Sequence, residues 1–210
     1  ISVVVSKDKK DETYTFTLGK ETADKGGVYL KTDRNDLVYV VSNSILATLQ
    51  RELLDTVVLN FDPAKVKSVK LTGWKNVTGV PTAVEFVRND KREWVSKAAG
   101  FDADPAKVQA LVGDTLAHLR AKKFVSYKGG PAKGQGLDVK KDPQASPLTV
   151  EVTLEGDKKP ETVTLTVGGT DAKEKAYYAT ASTLPGAVFL VPDTDFQKVL
   201  EKPAYFLKGT

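Results

Sequence analysis

With 31 Lys and Arg against 27 Asp and Glu, the 210-residue chain carries a net charge of +4, too balanced to mark a nucleic-acid protein by itself. It has no cysteine, which excludes disulfides and thiolate metal sites, and one histidine, which excludes a site built on several imidazoles. A hydrophobic fraction of 40% suits an ordinary globular core, and no run approaches the ~18 apolar residues of a membrane helix.

Residues 1–6 and 13–18 alternate apolar and polar side chains and are rich in Val and Thr. That period-2 pattern predicts two strands of a hairpin, joined by the charged turn Lys7-Asp8-Lys9-Lys10-Asp11. Two short aromatic strands follow, Val28–Leu30 and Leu37–Val41, separated by the turn cluster Asp33-Arg34-Asn35-Asp36. Ser42 or Asn43 then caps a short helix with apolar positions Ile45, Leu46, Leu49 and Leu53.

Farther on, Val66–Leu71 and Ala83–Val87 read as strands. Asn89-Asp90-Lys91 turns into a partner strand carrying Trp94, which is expected to share a face with Phe86. Asp104-Pro105 opens the strongest helix of the chain, because the first four amides lack intrahelical partners and proline has none to lose. Val108, Leu111, Val112, Leu116 and Leu119 line one side of it to about residue 121, and Phe124-Val125 starts another extended segment. Residues 128–147 are rich in Gly, Pro and Lys and read as a long, mobile connection.

The tail repeats the head. Residues 150–168 align without a gap on residues 1–19, and nine of the nineteen positions are identical, from Val3/Val152 to Gly19/Gly168. Chance gives roughly one or two. After one inserted residue, Leu37–Val41 matches Ala187–Val191, and Leu46 and Leu49 fall on Phe196 and Val199. In this second copy Asp193 is the expected cap, Phe196, Val199 and Leu200 form the stripe, and Pro203 ends the helix. Each copy thus reads as four strands, a helix and a closing strand. The expected parsing is the back half of an incomplete first unit at 1–57, then a complete second unit at 58–210 with front half 58–148 and back half 149–210. Methionine is absent and the first residue is Ile1, so further sequence is expected upstream. The half-unit 1–57 is expected to lean on the complete unit or a neighbouring molecule and to leave a strand edge exposed.

Catalytic patterns fare poorly. His118 lies in the 105–121 helix without a Gly-x-Ser-x-Gly elbow, so it reads as a structural or surface residue. Asp33, Asp36, Asp102 and Asp104 sit at turns and caps, where carboxylates already serve backbone amides. In residues 129–136 Gly134 is followed by Gln135 and the segment trails a helix, which is not the arrangement of a phosphate loop. Lys122, Lys123, Lys128, Lys133, Lys140 and Lys141, with Phe124 and Tyr127, make the densest basic region. It is read chiefly as a solvated loop, and alternatively as a binder of nucleic acid or anionic envelope polymer. Asn76-Val77-Thr78 is a glycosylation sequon, relevant only on a eukaryotic secretory route. Trp94 reads as a core anchor, while Trp74 is expected at a junction or a partner surface.

The order of a tryptophan hairpin (residues 83–97), an Asp-Pro helix start, a Gly-Leu-Asp turn at 136–138 and a hairpin ending in Thr-Val-Gly before an aromatic strand resembles the bacterial domain-of-unknown-function family numbered 4340. The resemblance implies tandem units behind an N-terminal membrane helix, encoded beside gliding-motility-type ABC transporter subunits, and it supplies no catalytic residues. The resulting expectation is an α+β fold of antiparallel sheets with helices packed on one face, in a duplicated unit. Its work is expected to be non-catalytic: an extracytoplasmic interaction module of the bacterial cell envelope, accessory to an ABC-type export or gliding-type system. Partners are envelope proteins such as transporter subunits rather than nucleic acid, and the membrane is reached only through an anchor that these residues lack. No catalytic, metal or cofactor residues are assigned. The partner-binding candidates are Trp74, Lys123, Tyr127, Lys128 and Lys133. An enzyme acting through carboxylates alone ranks last.

Overall fold

A computed structural model describes residues 1–7, 10–49, 54–75, 79–156, 159–194, 196 and 203–209. The turn residues Asp8, Lys9, Asp157 and Lys158, the helix positions Leu53, Val199 and Leu200, and the sequon at 76–78 lie outside them. The chain forms two compact units, Ile1–Leu53 and Leu54–Thr210.

The first unit is a four-stranded antiparallel meander in the order β1 (Ser2–Lys7), β2 (Lys10–Glu21), β3 (Gly27–Thr32), β4 (Val38–Ser42). A single-turn helix, α1 (Ser44–Leu49), follows, with the Ser42 hydroxyl accepting the Ser44 amide at 3.3 Å. Alternation along β1 and β2 does what period-2 patterning requires: it sends Ile1, Val3, Val5, Tyr14, Phe16 and Leu18 to one face.

The second unit is one eight-stranded antiparallel sheet. Its front half supplies β5 (Val66–Gly73), β6 (Thr82–Arg88), β7 (Trp94–Ser96) and β8 (Lys123–Ser126). Its back half supplies β9 (Leu148–Leu154), β10 (Glu161–Asp171), β11 (Ala176–Ala181) and β12 (Val188–Pro192). The order β7-β6-β5-β9-β10-β11-β12-β8 places the back half in the middle and closes it on both sides with front-half strands. The halves therefore complete a single sheet.

The repeat is reproduced residue for residue. Val3 faces Tyr14 as Val152 faces Val163, and Phe16 faces Thr32 as Leu165 faces Ala181. Both copies shift register at the same place, between Leu18 and Glu21 and between Val167 and Thr170. A bulge inserts one residue and bends the strand, so its recurrence requires the same backbone path in both copies. In the last pair Tyr29 faces Val40 as Tyr178 faces Leu190, which absorbs the one-residue insertion in the connecting turn.

Asp104 caps the predicted helix, its carboxylate accepting the amides of Ala106 at 2.9 Å and Lys107 at 3.4 Å. The helix is shorter than the apolar stripe suggests. It runs as α2 (Pro105–Ala110), widens into a π-helical stretch over Leu111–Leu116, and stops. Its side chains Val108, Leu111, Val112 and Leu116 belong to one buried cluster with Val69, Phe86, Trp94, Val150, Leu165 and Phe189. The coarse class is thus α+β: antiparallel sheets with a few short helices.

Two sequence expectations change. Residues 54–57 belong to the second unit, where the Val58 amide donates to the Leu119 carbonyl at 2.8 Å and the Ala121 amide to the Thr56 carbonyl at 2.7 Å. Burial of Val58, Leu59 and Phe61 explains why the chain joins that core so early. The 128–147 connection is also docked rather than loose. The Gly169 amide donates to the Gln135 carbonyl at 2.8 Å, Leu137 is buried, and the Trp74 and Lys75 amides bond Pro147 and Ser146. A Cβ at Gly168 would stand 2.5 Å from the Gln135 carbonyl oxygen, so this docking demands glycine.

Candidate interaction surfaces

Four of the five candidate partner residues fall on one strand and the loop after it. β8 is an edge strand, held by β12 through the pairs Phe189–Phe124 and Leu190–Lys123. Lys123, Tyr127, Lys128 and Lys133 are exposed there, and the Tyr127 ring stacks on Phe124 at 5.5 Å. The charge is thinner than the composition suggests. Lys122 and Lys123 both face Glu174, at 3.1 and 3.6 Å, and the Lys141 ammonium donates to the Pro131 carbonyl at 2.6 Å. Lys128, Lys133 and Lys140 remain as exposed cations.

Trp74 is not a surface residue. It is 1% exposed and packs edge-on against Tyr177 at 5.5 Å. Gly73, at φ 95°, turns the end of β5 so that the next side chain enters the core, and Trp74 takes φ 60° to follow. The Thr72-Gly73 signal marks that inward turn, and burial of the indole overrides the expectation of a partner contact.

The Lys122 ammonium holds the Glu174 carboxyl below the usual carboxylate range, first by a hydrogen bond and then by charge, with Lys123 adding to it. A carboxyl lowered in the folded state contributes stability above its unfolded pKa and loses it as pH falls through the folded value. Glu174→Gln is therefore expected to flatten the acid limb of a stability profile below the ordinary glutamate pKa. Denaturant titrations across that range, with Lys123 and Lys128 exposure as controls for local opening, check this.

Another concave surface forms beside β7, and the sequence reading assigned it nothing. A cleft of about 550 Å³ is lined by Arg88, Arg92, Trp94, Asp102, Gln109 and Lys208 among others. The Arg88 guanidinium lies 4.5 Å from the Trp94 ring centroid and donates to Gln109 at 2.9 Å, which also accepts the Trp94 indole N–H at 3.0 Å. Arg88 further donates to the backbone carbonyls of Val66 and Arg92. Burial, with Arg92 adding, lowers the Arg88 pKa. At the other side Lys208 pairs with Asp102 at 2.8 Å, which raises the lysine pKa. These groups hydrogen-bond or pair with one another and brace the wall of the cleft.

The turn acids Asp33 and Asp36 and the histidine have structural partners. Asp33 accepts the Thr15 amide at 3.0 Å, Asp36 meets Lys31 at 3.6 Å, and His118 Nδ1 lies 3.0 Å from the Asn60 amide oxygen.

The third surface is the four-stranded sheet. Val3, Val38 and Val40 are 42%, 63% and 60% exposed, whereas Val152, Val188 and Leu190 at the matching positions of the second unit are buried. Its outer strands β1 and β4 have no further neighbour among the described residues. Single exposed apolar residues are ordinary, but exposed apolar side chains on outer strands whose edges are open mark places for another chain.

Comparison with known proteins gives one family. The model of the family described as Domain of unknown function (DUF4340) matches residues 1–140 and again 94–210. No curated protein and no solved structure is significantly similar to the chain.

Proposed function

The chain belongs to the DUF4340 family, and from that premise we propose that it is a non-catalytic interaction module of the bacterial cell envelope. In this reading it is extracytoplasmic and accessory to an ABC-type export or gliding-type system. It works by offering sheet edges and apolar strand faces to a protein partner, and α2 with its π-helical extension forms the lid over the inward face of the complete unit. The observation that carries the reading is the open, apolar four-stranded sheet, with Val38 and Val40 more than half exposed. Open edges recruit strands because each leaves a row of unpaired N–H and C=O groups.

Capture from detergent-solubilised bacterial envelopes, using the chain and a Val38→Lys/Val40→Lys variant, tests this. The expected result is recovery of transporter or other envelope components by the parent and their loss with the variant. Equal recovery by both, or recovery of no envelope component, overturns it. A second reading draws on Tyr127 and the exposed Lys128, Lys133 and Lys140 as a binder of nucleic acid or anionic polymer. It requires binding that weakens steeply with salt, and a flat response removes it. The pairing of Lys122 and Lys123 with Glu174 favours the first reading.

A further inference from the structure

We infer that the four-stranded sheet is a receptor for a front half of this same repeat, additional to residues 54–147. The segment it takes pairs antiparallel along β1 and covers the face that carries Ile1, Val3, Phe16 and Tyr39. This deepens the interaction reading by naming what the sheet receives.

The second unit is the template. There β5 pairs with β9 so that Leu71 stands opposite Val150 and Val69 opposite Val152, and β8 pairs with β12 so that Phe124 stands opposite Phe189. The helix side chains Val108, Val112 and Leu116 share the buried cluster with those strands. The register of the first sheet is identical, so Ile1, Val3 and Tyr39 stand where Val150, Val152 and Phe189 are covered. They are apolar or aromatic, yet 49%, 42% and 37% exposed. Burial of those equivalent positions is what the strand sequence is suited to, since each matching side chain in the second unit is 1% exposed or less.

Gly19 is the independent observation. Its counterpart Gly168 is required, because a Cβ there would stand 2.5 Å from the carbonyl oxygen of the Gln135–Gly136 turn. At Gly19 a Cβ would meet nothing nearer than Tyr29 Cβ at 3.4 Å, an ordinary contact. The glycine is kept at the bulge where the docking turn of a front half arrives. The front half in hand already pairs with β9 and β12, and that of a second copy is engaged in the same way, so the occupant is a further one.

The test places a second copy of residues 54–147 ahead of Ile1 and compares that extended chain with the 210-residue protein by amide exchange and dye binding. The Ile1 and Phe16 backbones bond one another in both directions, so alternation turns the Val4 and Ser6 amides to the open edge. These two amides are expected to slow by about tenfold or more in the extended chain, with a loss of apolar-dye binding. Gly19→Ala is expected to leave the 210-residue protein unchanged and to return the extended chain toward its fast exchange. Unchanged exchange on extension overturns the inference, as does a Gly19→Ala variant that keeps full protection. A self-associated 210-residue chain whose Val4 and Ser6 amides are already protected also overturns it, by showing a second copy as the occupant. Failure of envelope capture leaves this result standing, and failure here leaves the envelope reading standing, so the two are separable.

Discussion

Phe189→Ala is expected to lower the stability of the Leu54–Thr210 unit by about 3–5 kcal/mol. Phe189 has no exposed surface, lies in β12 opposite Phe124, and meets that ring at 6.0 Å, so truncation removes transfer energy and leaves a cavity bordered by two strands. The repeat supplies its own control. Tyr39 holds the same register position in β4 and is 37% exposed, so Tyr39→Ala is expected to cost no more than about 1 kcal/mol. Both tryptophans, Trp74 and Trp94, lie in the second unit, so their fluorescence in a guanidinium titration reports that unit alone. That midpoint is expected to move for Phe189→Ala, while amide exchange of the β3 backbone that pairs with β4 reports the first unit and is expected to change little for Tyr39→Ala. Equal losses of stability in the two units, or no shift for Phe189→Ala, would contradict the assignment of one covered and one open copy.

Trp74→Ala is expected to cost about 3–5 kcal/mol as well. Its indole is buried against Tyr177, and alanine inherits the same positive φ, so the cost is mainly the emptied volume and the lost ring contact. Trp74→Phe keeps most of the volume and is expected to recover at least half of the loss. Trp94 fluorescence gives the readout in both variants. A Trp74→Ala protein within about 0.5 kcal/mol of the parent but impaired in envelope capture would return this residue to the surface.

Much of the fold was legible because its signals are local. Val-Thr alternation marks β1, β2, β9 and β10, and identity at positions such as Gly19/Gly168 shows that one path is used twice. Asp104-Pro105 announces a helix start through the needs of its first amides, and the carboxylate does accept two of them. Phe86 and Trp94 share the core because the Asn89 turn pairs Arg88 with Trp94. The candidate site was legible only in part. Lys123, Tyr127, Lys128 and Lys133 follow one another along β8 and the loop after it, and all four are exposed there. Trp74 was misplaced because an aromatic after Thr-Gly says nothing of which way the chain turns. Nor did spacing reveal the Arg88–Trp94–Gln109 network, whose members meet only where β6, β7 and α2 converge.

By itself the sequence determined strand periodicity, turn and cap chemistry, and the duplication, all of which depend on neighbours a few residues apart. The tertiary structure decided that front and back halves share one eight-stranded sheet, that 128–147 seats on the Gly168 bulge, and that Lys122 and Lys123 converge on Glu174. It also decided that equivalent strands are buried in one unit and open in the other. Periodicity says which side chains share a face, but whether that face meets water or protein depends on what other backbone hydrogen-bonds to its edges. That choice lies in contacts between distant residues, which no local pattern encodes.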